Sequence, residues 1–218
     1  MEPISQVAYS VLKSTPKVFE TFIKAREQIQ IRRFSEFLSH VDTNYETMSV
    51  EDNEELNNFI NSKEGERFLV NYADAILQTT SNRVMMALAL LYCNKDDFNE
   101  LNKVNFIRAT KNLDDDLVDF YLTTHNNNIS DITDIPYRRL EATSESYKDT
   151  SWNEEDIATY INELIRLRLL LPDPVTVPVF SDIDDLWTIF YGIGKNTQKY
   201  VNLLNKASNM LATGNLVK

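Results

Sequence analysis

The sequence predicts a mostly α-helical protein, an antiparallel helical bundle with a small C-terminal α+β module. Three observations carry that reading. Only four of the 218 residues are glycine, well below the usual level of about 7%, which disfavours glycine-rich phosphate loops and turn-rich sandwiches or barrels. Apolar residues recur at spacings of three and four through most of the chain, the period of a helix with one buried face. β-prone composition is concentrated late, in residues 174–192.

From Pro16 to Asp42, Phe19, Phe22, Ile23, Phe34, Phe37, Leu38 and Val41 form one stripe, opposed by Lys24, Arg26, Glu27, Arg32, Arg33 and Glu36. Ser49 with Asp52 three residues on is an acidic relative of the capping box and opens a short polar helix to about Asn61. Ser62 caps the next helix, whose face is Phe68, Leu69, Tyr72, Ala75 and Ile76, and Thr79 to Asn82 break it. Arg83 to Cys93 is apolar nearly all round, as suits the centre of a bundle. Asp96 and Asp97 favour the start of a further helix continuing through Leu101, Val104 and Ile107, and Leu113, Leu117, Phe120 and Tyr121 mark another. Residues 1–124 thus read as a bundle of short-linked helices with local contacts.

Residues 125–134, rich in Asn, Asp, Ser and Thr, read as a polar linker to a second part, residues 135–218. There a short helix is expected from about Tyr137 to Ser146, and a well-defined one carries Ile157, Tyr160, Ile161, Leu164 and Ile165 behind Glu154, Glu155 and Asp156 at its N-terminus. Pro172 and Pro174 stop it. Residues 175–180 are β-prone but contain Pro178, which confines them to an edge strand. Residues 186–191 fit either a second strand or a helix start, Gly192 and Gly194 mark a turn, and Lys195 to Leu211 closes the chain as a helix.

That order of helix, β-prone hairpin and closing helix is winged-helix-like. Residues 157–171, IATYINELIRLRLLL, and 186–204, LWTIFYGIGKNTQKYVNLL, add a leucine-rich helix ending in a leucine hook and a threonine-glycine-lysine stretch before an aromatic helix. With the preceding bundle, most of residues 20–206 resembles a loose group of bacterial helical proteins related to the Abi-alpha abortive-infection family. Arg168 stands where the hook of that group usually has glycine. The resemblance implies a role in bacterial or phage conflict.

Charge and motifs exclude more than they assign. Lys and Arg number 22 against 33 Asp and Glu, a net charge of −11, which repels nucleic-acid phosphates and anionic membranes. Residues 151–218 carry six basic against eight acidic residues, and residues 1–150 carry 16 against 25, so neither part has the balance of a DNA binder. Met1 to Pro16 lacks the core of a signal peptide, and the longest apolar run, Val84 to Cys93, is half a membrane span, so a cytoplasmic protein without membrane contact is expected. Cys93 reads as a buried thiol.

Asp114, Asp115, Asp116 and Asp119 read as a solvated helix start, because consecutive helical residues diverge. Asp182, Asp184 and Asp185 lack the glycine and distal glutamate of a calcium loop. Residues 192–197, GIGKNT, miss the first glycine and the terminal Ser or Thr of a phosphate-binding loop. His40 and His125 have no ligand-spaced neighbour, so no metal, cofactor or catalytic residue is assigned. The expected function is a non-enzymatic interaction protein with a protein partner. Its contact candidates are Tyr160, Trp187, Tyr191, Lys195 and Lys199. A winged-helix transcriptional regulator binding DNA, and an acidic inhibitor mimicking nucleic acid, are the alternatives.

Overall fold

The computed structural model describes residues 4–45, 48–51, 54, 58, 61–93, 101–129, 135–175 and 187–214, and helices make up most of them. Helix α1 (Ile4–Tyr45) is 42 residues long, about 63 Å at 1.5 Å per residue. It starts well before the expected Pro16 and runs through that proline, which costs the ladder one donor. Phe37, Val41 and Asn44, at i, i+4 and i+7, turn into the core, whereas Ile29 and Ile31 are exposed. Val50, Glu51, Glu54 and Asn58 are helical within the segment expected to form a polar helix.

Helix α2 (Lys63–Gln78) and helix α3 (Asn82–Cys93) are joined by a tight polar turn. Ser81 Oγ accepts the Val84 N–H at 3.1 Å and donates to Asp115 Oδ1 at 2.6 Å. It therefore caps α3 and ties it to a later helix at once. Every residue from Val84 to Leu91 is buried, as the all-round apolar sequence requires. Phe37, Tyr72 and Tyr92, from α1, α2 and α3, meet with ring centroids 5.8–6.2 Å apart.

Helix α4 (Lys103–Thr110) is capped by Asn102, whose side chain accepts from the Asn105 N–H, and helix α5 (Asp115–Thr124) by Asp114, which accepts from Leu117. Residues 94–100, including Asp96 and Asp97, lie outside the described residues. After α5, His125 to Asn127 turn the chain and Asn128–Ile129 form β1; residues 130–134 of the expected linker also lie outside the described residues.

The helix expected over residues 137–146 is instead strand β2 (Arg138–Thr143) followed by a single 3-10 turn (Glu145–Tyr147). The reason is tertiary. Strand β3 (Thr188–Ile193), rich in β-branched and aromatic residues, pairs antiparallel with β2 along its whole length, Arg138 opposite Ile193 and Thr143 opposite Thr188. That pairing overrides the helical preference of Arg, Leu, Glu and Ala. β1 completes a three-stranded sheet of order β1-β2-β3. It also settles residues 188–191 as strand, with β2 as their described partner; residues 176–180 of the expected hairpin lie outside the described residues.

Helix α6 (Glu154–Arg166) opens with a complete capping box between Asn153 and Asp156 and buries Ile157, Ile161 and Leu164. It ends in a Schellman motif. Leu169 N–H reaches Leu164 C=O at 2.9 Å and Arg168 N–H reaches Ile165 C=O at 3.0 Å, with Arg168 at φ 61° in the left-handed position that favours glycine. Leu171 then exchanges two 2.8 Å backbone hydrogen bonds with Gly192. A Cβ on Gly192 would run into the Tyr137 ring, whose hydroxyl donates to Pro172 C=O at 2.8 Å. Glycine is required here for close approach.

Helix α7 (Lys195–Gly214) packs against α3, so the bundle's contacts are not only local. Buried residues from α3, α5, β2, α6, β3 and α7 belong to one continuous core. Tyr191 Oη donates to Thr124 C=O at 2.6 Å, and Tyr121 Oη to Thr197 C=O at 3.3 Å. No helix among the described residues is long and apolar enough to cross a membrane.

Candidate partner-binding groove

The acidic run at the start of α5 is accounted for by packing. Asp114 caps the helix, Asp115 accepts from Ser81, and Asp119 forms a bidentate pair with Arg83, Nη2 to Oδ2 at 2.9 Å. Among the described residues no group of three or more His, Cys, Asp or Glu is placed to hold a metal ion. Asp182, Asp184 and Asp185 lie outside the described residues. His125 Nε2 meets Gln198 Oε1 at 2.7 Å, which joins the end of α5 to α7. Burial holds the His40 imidazole below its ordinary value against the opposing pull of Glu36.

In the GIGKNT segment, Gly194 N–H donates to Thr197 Oγ1 at 3.1 Å, and that hydroxyl donates to Leu169 C=O at 3.3 Å. The backbone donor that a phosphate would need is used internally. A cleft of about 390 Å³ lies beside it, between Arg168 and Lys195, with walls made largely by the leucine hook.

A more open groove, of about 620 Å³, forms where β2 turns through the 3-10 segment into α6. Its walls include Tyr147, Trp152 and Trp187, with Lys148, Glu154 and Glu155 at the rim. The aromatic wall is rigidly backed. Phe120 stacks on Tyr147 at 5.4 Å and meets Trp152 and Tyr160 edge-on at 5.2 and 5.1 Å. The Tyr147 hydroxyl is held by Thr124 Oγ1 at 3.0 Å and Asn127 Nδ2 at 2.8 Å. By contrast the Trp187 Nε1–H is buried and has no acceptor among the described residues, an arrangement that costs roughly 1–3 kcal/mol.

The electrostatics around this wall are negative. Lys148 is offset by its ion pair with Glu145. Asp114, Asp116 and Asp156, from the adjoining N-termini of α5 and α6, converge on Tyr160 and, after burial, are the causes that push its hydroxyl above the ordinary tyrosine value.

Of the five contact residues expected from sequence, Trp187 lines the groove, and Tyr160 is partly buried against its aromatic backing. Tyr191 does not belong to a surface: its side chain is fully buried in the continuous core and its hydroxyl is spent on Thr124. Lys195 is exposed at the other cleft, and Lys199 is partly buried on α7. Sequence reasoning placed Glu154 and Glu155 at a helix start but did not single them out, or Trp152, as contact residues. Comparison with family models, curated proteins and solved structures finds no match to this chain.

Proposed function

We propose that this protein is a non-enzymatic, cytoplasmic interaction protein that engages a protein partner through the groove of Trp152 and Trp187. The observation that supports it is the combination, in one open groove, of two half-buried indoles, Trp152 on a rigid aromatic backing, with an acidic rim. Aromatic side chains supply contact area at small entropic cost and are enriched at the centres of protein interfaces. The succession α6, β3, α7 supports reading residues 135–218 as a winged-helix-like module turned to protein contact, and the resemblance to abortive-infection proteins supports a setting in bacterial or phage conflict.

A photo-crosslinking residue at Thr150, on the groove wall, tests this in a native host, with the exposed Val70 of α2 as control. A discrete protein adduct from position 150, absent from position 70 and lost with Trp187→Ala, is the expected result. Adducts to nucleic acid, or the same adducts from both positions, overturn the reading in favour of the DNA-binding alternative or of no specific surface.

A further inference from the structure

We infer that the segment taken up by this groove is extended, proline-containing and basic, a deduction that rests on the protein-contact reading above. The accessible apolar part of the wall is chiefly the two half-buried indole faces of Trp152 and Trp187, with the buried Tyr147 ring edge-on to Trp152. Such faces suit proline rings, whereas the apolar side of a partner helix needs aliphatic pockets at helical spacing. A polyproline II segment also arrives with its backbone carbonyls unpaired, because that conformation makes no internal hydrogen bonds. The Trp187 Nε1–H is covered and lacks an acceptor among the described residues, so a turn of the indole as the segment settles would let one such carbonyl satisfy it.

Charge selects the side chains that accompany the prolines. Glu154 and Glu155 stand at the rim in the first turn of α6, and no ion pair engages either of them among the described residues. Asp114, Asp116 and Asp156 extend the negative field toward Tyr160. Lys148, the one cation on the wall among the described residues, is answered by Glu145. An arginine or lysine flanking the prolines therefore meets uncompensated carboxylates, and an acidic segment is repelled.

The chain has two tryptophans, and both line this groove, so tryptophan emission, excited selectively over tyrosine, reports on it. The probe is a synthetic dodecapeptide of repeating Pro-Pro-Arg, with repeating Pro-Pro-Glu and repeating Gly-Gly-Arg as comparisons. The proposal expects a saturable emission change with the first, and binding weaker by about tenfold or more with each of the others, the equivalent of one lost interaction of about 1.4 kcal/mol. Trp187→Phe keeps an aromatic ring, removes the donor and leaves Trp152 as reporter; binding should fall about tenfold while circular dichroism stays as in the parent. Glu154→Gln with Glu155→Gln should weaken binding and flatten its dependence on salt. No saturable change with the Pro-Pro-Arg peptide, or equal binding of the acidic peptide, overturns the inference. If the peptide fails while position 150 still crosslinks to a partner, the groove remains a contact surface for another class of segment. Loss of both results removes the contact reading itself.

Discussion

Asp173 presents both carboxylate oxygens to the Arg139 guanidinium, Oδ1 to Nε at 2.7 Å and Oδ2 to Nη2 at 2.9 Å, while the guanidinium carbon lies 3.5 Å from the centroid of the Phe190 ring. Arg139 is 3% exposed. The pair fastens the Pro172-Asp173-Pro174 turn to β2 and uses β3 as a stacking surface, so three separate stretches of chain share one charge. Removing the carboxylate takes a bidentate partner from a buried cation. Asp173→Ala should destabilise the fold by about 3 kcal/mol in urea unfolding. Burial raises the Asp173 carboxyl, but the Arg139 hydrogen bonds, the Val175 N–H and the Arg139 charge together outweigh it and hold it below its ordinary value. The stabilisation is therefore complete above the unfolded value of about 3.9 and is lost as pH falls through the lower folded value. The difference in urea midpoint between the parent and Asp173→Asn should be constant at neutral pH and shrink below about pH 4.

Arg168 holds the left-handed position of the Schellman motif that ends α6. A side chain there costs roughly 1–2 kcal/mol that glycine does not incur, offset in part by the greater freedom of glycine in the unfolded chain. Arg168→Gly should raise stability by about 0.5–1 kcal/mol, read as an increase of a few degrees in melting temperature. A lower melting temperature would mean that the exposed Arg168 side chain makes a stabilising contact.

Tyr191 joins the sheet to the end of α5 through Thr124 C=O and Asn127. Tyr191→Phe leaves the ring packing in place and removes only the hydroxyl. The expected cost is about 1–2 kcal/mol by urea unfolding, the value of a buried hydrogen bond whose partner is left unsatisfied.

Cys93 is 3% exposed, and burial, with Asp42 adding to it, pushes its thiol up to about 11. At pH 8 the native thiol should be inert to Ellman's reagent and become reactive only as urea unfolds the chain. Rapid labelling without denaturant would show that the end of α3 opens locally.

Electrophoretic mobility on duplex DNA should show no shift at micromolar protein in about 150 mM salt. Lys195 and Lys199 share a face of α7 at a spacing of four, but the chain carries a net charge of −11. A shift abolished by Lys195→Glu with Lys199→Glu would promote the DNA-binding alternative over protein contact.

What could be read from sequence followed the range of the forces involved. α6 was legible because its determinants are local: Asn153 and Asp156 cap it and Ile157, Ile161 and Leu164 form its buried face. α3 was legible because a helix apolar on all sides has nowhere to lie except inside. β2 was not, since Arg138 to Thr143 favour a helix until they meet β3, whose residues begin at Thr188. The groove was half legible for the same reason. Trp187 stood out beside the glycine turn, but the other wall comes from residues 144–157, and nothing in either segment announces that they meet. Tyr191 was misplaced because β3 is apolar or aromatic at successive positions, Ile189, Phe190 and Tyr191, which leaves no alternation by which to separate its inner from its outer side chains.

The packing of α7 on α3 has a consequence for biosynthesis. The most apolar helix leaves the ribosome early, and the helix that covers it is made only after more than a hundred further residues. At about 5–20 residues per second, that delay is on the order of 5–20 s. Throughout it the nascent chain carries a greasy flank that only chaperones or the ribosome surface can shield. The timetable of translation, as much as the strength of the finished core, governs how much of this polypeptide escapes aggregation.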